Sequence, residues 1–71
     1  MSEESTPELE ILEWEGLKVG NIVENRNHGW SGVLRRLYKD NDGEMVGVVE
    51  VTSNGQKHEM EEFAKDLESV D

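Results

Sequence analysis

The chain contains no cysteine, so neither a disulfide nor a thiolate metal site can staple it. Zero cysteine fits a reducing, cytoplasmic setting. No stretch approaches the roughly 20 consecutive apolar residues that a membrane span requires. The opening Met1-Ser2-Glu3-Glu4-Ser5 carries no basic region and no apolar run, so no signal peptide is expected. Catalytic signatures are missing as well. There is no cysteine nucleophile, no Gly-x-Ser-x-Gly and no phosphate-cradling Gly-Lys-Ser/Thr. These absences exclude membrane, disulfide-scaffold and common hydrolase or nucleotide-binding classes, and point to a soluble, non-catalytic protein that needs no cofactor.

What is present is short and acidic. Seventy-one residues allow one small domain with a modest core. The net charge is −10, and it is unevenly spread. Residues 1–16 hold six glutamates and no base, and residues 40–71 hold ten acids against Lys57 and Lys65. Between them Lys18, Arg26, Arg35, Arg36 and Lys39 face Glu24 alone. A basic middle between acidic ends is the main electrostatic feature. The plainer reading is that acidic ends keep a small domain soluble and monomeric.

The chain is organised around one long β-hairpin over residues 29–51. Its arms, Gly29–Tyr38 and Glu44–Val51, are rich in β-branched and aromatic residues. Asp40-Asn41-Asp42-Gly43 supplies the corner, and Asn54-Gly55 marks a second one. Val46, Val48, Val49 and Val51 make the second arm the expected most-buried strand. The class is therefore all-β, an antiparallel meander.

Before the hairpin, residues 1–8 are too polar to offset ordering entropy and read as a flexible acidic tail. Ser5, Pro7 and Glu8 have helix-start spacing, yet Leu9, Ile11, Leu12 and Trp14 alternate with glutamates as in an edge strand with a bulge. Helix, strand and coil stay open over residues 9–15. Leu12 and Trp14 either fold back over the core or, with Leu9 and Ile11, form a segment that docks a partner. Residues 1–15 are set apart as a tail and residues 16–71 as the domain. Leu17–Glu24 reads as its first strand, with Leu17, Val19 and Ile22 apolar and Gly20 marking an irregularity. Gln56–Met60 reads as a short polar edge strand, with Met60 facing in. Glu61–Asp66 suggests one helical turn anchored by Phe63, and Leu67–Val70 a closing strand.

The candidate binding residues are Arg26, His28, Trp30, Arg35, Arg36, Tyr38 and Lys39, bases interleaved with aromatics. Side chains alternate along a strand, so Arg35 and Arg36 share a face only if a bulge intervenes. The competing reading pairs these bases with acids on neighbouring strands. A metal site is not expected: His28 and His58 are the only histidines. Asp40-Asn41-Asp42-Gly43-Glu44 has a calcium-loop flavour but lacks the EF-hand frame, and a hairpin turn accounts for it.

The plan as a whole resembles a five-stranded, SH3-like small barrel, and within that fold the Tudor and KOW branches. The likeness is carried by Leu17-Lys18-Val19-Gly20-Asn21-Ile22-Val23, by Trp30-Ser31-Gly32-Val33-Leu34, by the valine strand to Val51, by Asn54-Gly55 and by Phe63–Val70. Asn21 stands where those families more often have aspartate. The resemblance implies a binding module. Tudor domains read methylated side chains with an aromatic cage; Trp30 and Tyr38 are the available walls, and the Ser53-Asn54-Gly55 loop adds none. KOW-type modules touch RNA or its machinery. The expectation is a module binding a protein, or else a nucleic acid, through the Arg26–Tyr38 side. The alternative is an acidic inhibitor or DNA mimic acting through Glu59, Glu61, Glu62, Asp66 and Glu68. A third reading is an accessory subunit docked through Leu9–Trp14.

Overall fold

A computed structural model describes residues 11–70; residues 1–10, which hold Leu9 and the first part of the expected tail, and residue 71 lie outside the described residues. The first two strands are β1 (Glu13–Trp14) and β2 (Leu17–Lys18), a small hairpin pairing Trp14 with Leu17. Glu15 and Gly16 both have positive φ, the signature of a two-residue corner. The ambiguous stretch before Gly16 is thus strand at Glu13–Trp14, and Ile11 forms a single antiparallel bridge with Leu37.

The main sheet contains β3 (Ile22–Asn25), β4 (Ser31–Lys39), β5 (Met45–Ser53), β6 (Gln56–Phe63) and β7 (Leu67–Ser69). It is antiparallel throughout, in the order β6-β5-β4-β3-β7. β4 is the middle strand. β5, beside it, carries the longest buried run, Met45 to Val49, as the valine pattern leads one to expect. β6 and β7 are the two ends of the order and do not pair with each other. The expected barrel is therefore an open, curled sheet. A 3-10 turn, Ala64–Asp66, joins its two outermost strands and leaves them at opposite edges.

The expected first strand, Leu17–Glu24, is interrupted. Val19-Gly20-Asn21 leaves the ladder between β2 and β3, with Gly20 at φ +100°. The break is held by Gly20 N–H to the Leu34 carbonyl at 2.7 Å and Leu34 N–H to the Asn21 carbonyl at 3.0 Å. This shifts the faces. Val23 is fully buried, while Ile22 is 47% exposed and does not enter the core. A similar correction applies after β6. That strand runs on to Phe63, which is 46% exposed; Ala64, with no exposure, anchors the turn instead.

The core cluster comprises Leu17, Val23, Leu34, Leu37, Met45, Val49, Ala64 and Leu67, with Ile11, Trp14, Val19, Trp30 and Val51 packed at its margins. Gly32 faces it from β4. A Cβ there would meet the Glu50 carbonyl oxygen and Val49 Cγ1, the latter at 2.8 Å, so the close β4–β5 approach requires glycine.

Candidate interaction surface

β4 departs from simple alternation at one place. Leu34 pairs with Val49 and Arg36 with Val48, so Arg35 is an extra residue, a β-bulge. Leu34 and Leu37, three apart, both point into the core, and the two arginines between them are both exposed. The condition under which Arg35 and Arg36 share a face is met.

The register then lays out the outer face. One row across the sheet is Arg36, Val48 and Glu61; the next is Tyr38, Val46 and Phe63. Val46 and Val48 are buried without belonging to the core cluster, so they form a second, smaller apolar floor beneath the outer side chains. Tyr38 and Phe63 flank Val46. The Arg36 guanidinium lies 5.7 Å from the Tyr38 ring centre, and the Lys65 ammonium 5.5 Å from that of Phe63. Each aromatic thus carries a cation, an arrangement favoured by the ring quadrupole. Tyr38 stands one row from Glu61 on the same face. Its pKa is raised above the ordinary tyrosine value, first by loss of hydration, then by the Glu61 charge and hydrogen bond; Arg36 opposes this and Asp40 adds to it. Glu50, paired with Val33 on one side and Glu59 on the other, and Glu59 itself bring acids to the same face.

The rest of the sequence-picked set lies elsewhere. Trp30 packs on the core cluster, away from Arg36 and Tyr38. Arg26 is held at the 3-10 turn: its backbone N–H reaches the Asp66 carbonyl at 2.9 Å, its guanidinium the Lys65 carbonyl, and its Nε the Glu68 carboxylate at 3.7 Å. It borders an open groove of about 380 Å³ walled by Trp14, Leu17, Lys65 and Leu67. His28 is exposed in the β3–β4 turn, and Lys39 ends β4 opposite Met45. Trp30 and Tyr38 therefore do not form two walls of one cage.

The partner-docking set also divides: Ile11 and Trp14 pack against the core, while Leu12 is 61% exposed. The calcium-like loop is a hairpin corner. Asp40 Oδ1 accepts the N–H groups of Asp42 and Glu44, both at 2.9 Å. Among the described residues no group of three or more His, Cys, Asp or Glu is placed to hold a metal, and no helix is long and apolar enough to cross a membrane.

Sequence reasoning passed over Phe63 and Lys65 as surface residues, and read Asn25 only as the start of a polar loop, Asn25–Gly29, whereas it ends β3 fully buried. The signal for Phe63 was available: the Asn54-Gly55 corner sets Ser53 opposite Gln56, and counting back places Phe63 opposite Val46. Comparison with protein-family models, curated proteins and solved structures returns no match to this chain.

Proposed function

We propose that this chain is a non-catalytic interaction module built on a small SH3-like sheet, docking a protein partner on the outer face formed by Arg35, Arg36, Tyr38 and Phe63. The observation that carries this is the bulge at Arg35, which turns both arginines outward beside half-buried Tyr38 and exposed Phe63 on an apolar floor. Rigid aromatics and arginine are the side chains that concentrate binding energy in protein interfaces. The SH3-like reading draws support from the long hairpin, the 3-10 turn before the last strand, and the pairing of that strand onto β3; the Tudor and KOW branches rest on the sequence resemblance. A cytoplasmic monomer belongs to the same proposal.

A protein partner is favoured over a nucleic acid because the face is of mixed sign. Glu50, Glu59 and Glu61 stand among the bases, and the chain as a whole carries −10. The acidic-mimic reading has less behind it. Glu62 accepts a hydrogen bond from Asn25 and Glu68 sits against Arg26, so the proposed acidic set is divided.

A photo-crosslinking residue placed at Tyr38, with a control at Glu15, tests the proposal in cells. A protein adduct of discrete mass from position 38, absent from position 15 and lost in the Arg35→Ser, Arg36→Ser variant, is expected. Adducts at neither position, or equally at both, would overturn it. An oligonucleotide titration giving salt-sensitive amide shifts over Arg35–Tyr38 would transfer the face to nucleic acid.

A further inference from the structure

The main sheet has two outer edges of very different length. β7 offers three residues and β6 eight. β6 pairs with β5 at every position from Gln56 to Phe63 with no register shift. Its far side is therefore an unbroken row of backbone donors and acceptors about 27 Å long at roughly 3.4 Å per residue. Among the described residues no turn or loop backbone hydrogen bond falls on residues 56–63. The strand also contains neither proline nor glycine. Of the usual edge protections it lacks shortness, bulges and proline and has only charge: Lys57 near its start, Glu59 and Glu61 on the outer face and Glu62 on the inner one.

Its side chains are patterned. Paired with outer-face residues of β5, Lys57, Glu59, Glu61 and Phe63 stand on the outer face. Met60, opposite the core residue Val49, stands on the inner one. A strand added at this edge would set its own alternate residues beside these. Glu59 and Glu61 are complementary to basic side chains two apart, and Phe63 to an apolar one. The net charge of −10 opposes a second copy of the chain on the same edge and favours a cationic segment.

We infer that the β6 edge takes an extended peptide segment by strand addition. The segment carries Lys or Arg at the two alternate positions facing Glu59 and Glu61, and an apolar residue facing Phe63. This site is the sheet edge, and it stands whether or not the face at Arg35 and Arg36 has a partner of its own.

The test is a titration of the isotope-labelled full chain with the capped peptide Leu-Thr-Arg-Val-Arg-Thr-Glu, and with its counterpart carrying Glu for both Arg. The arginine peptide is expected to shift, and slow the hydrogen exchange of, those β6 amides that point away from β5. The glutamate peptide is expected to bind at least about tenfold more weakly. The Glu59→Arg, Glu61→Arg variant is expected to reverse this preference, which also shows that the variant folds. Three results would overturn the inference: no new protection on β6, equal binding of the two peptides, or shifts confined to Arg35–Tyr38. Protection of β6 that rises with protein concentration in the absence of peptide would also overturn it, by giving the edge to a second copy.

Discussion

Asn25 and Glu62 are hydrogen-bonded across 37 residues of chain, Asn25 Nδ2 donating to Glu62 Oε1 at 3.2 Å. Asn25 is fully buried, and its other side-chain atom is equally committed: Oδ1 accepts the N–H groups of Asn27 at 2.8 Å and His28 at 3.1 Å. One amide therefore shapes the β3–β4 turn and ties it to β6. Asn25→Ala would take the shared acceptor from the Asn27 and His28 N–H groups and leave a gap at a fully buried position, and is expected to cost about 1–3 kcal/mol in urea unfolding. Glu62→Gln, which keeps an acceptor oxygen, is expected to stay within about 0.5 kcal/mol of the parent. Equal losses in both variants would show that the turn does not depend on Asn25.

The phenol of Tyr38 can be followed alone, because it is the only tyrosine. Its raised pKa means that the fold favours the neutral form. That contribution is complete below the ordinary value of about 10 and is lost as pH rises through the higher folded value. Absorbance titration is expected to show a midpoint above the ordinary value, falling toward it in Glu61→Gln. An unchanged midpoint in that variant would separate Glu61 from the aromatic face.

The break at Gly20 decides which of two adjacent residues is in the core. Val23→Ala is expected to destabilise by about 2 kcal/mol, and Ile22→Ala by less than about 1. The opposite ranking in chemical denaturation would restore the face assignment that the bare sequence suggests.

Deleting Arg35 should leave a regularly alternating strand, with Leu34 and Leu37 still inward and Arg36 and Tyr38 outward, because only the unpaired bulge residue is removed. Folding is expected to persist, with cross-strand contacts Leu34–Val49 and Leu37–Gly47 kept in NMR spectra. Loss of those contacts would show that the bulge sets the register rather than being accommodated by it.

Gly32→Ala probes the closest strand approach. The added methyl would press on the Glu50 carbonyl oxygen, a backbone atom that cannot swing aside. A loss of about 2 kcal/mol or more is expected in thermal or urea unfolding. A neutral effect would mean that β4 and β5 can separate at this point.

Much of the sheet was legible because its signals are local. The Asp-Gly and Asn-Gly corners and the valine run need only near neighbours to act, and both corners and the buried β5 stand where they imply. The candidate surface was legible in part. Arg35, Arg36 and Tyr38 could be picked by type, but their common face depended on one unpaired residue that no local pattern reveals. Phe63 was misplaced because a helical turn and a continuing strand begin alike in Glu61-Glu62-Phe63.

The sequence alone determined that this is a small, acidic, all-β chain whose corners set an antiparallel meander, since turn chemistry and two-residue periodicity are properties of neighbouring residues. Tertiary structure decided the rest. It left the sheet open rather than closed, packed Trp30 against the core, sent Arg26 to the 3-10 turn, and set Phe63, with Lys65 over its ring, across Val46 from Tyr38. Those outcomes depend on contacts between residues far apart in the chain, where packing and register select among faces that the local sequence leaves equivalent.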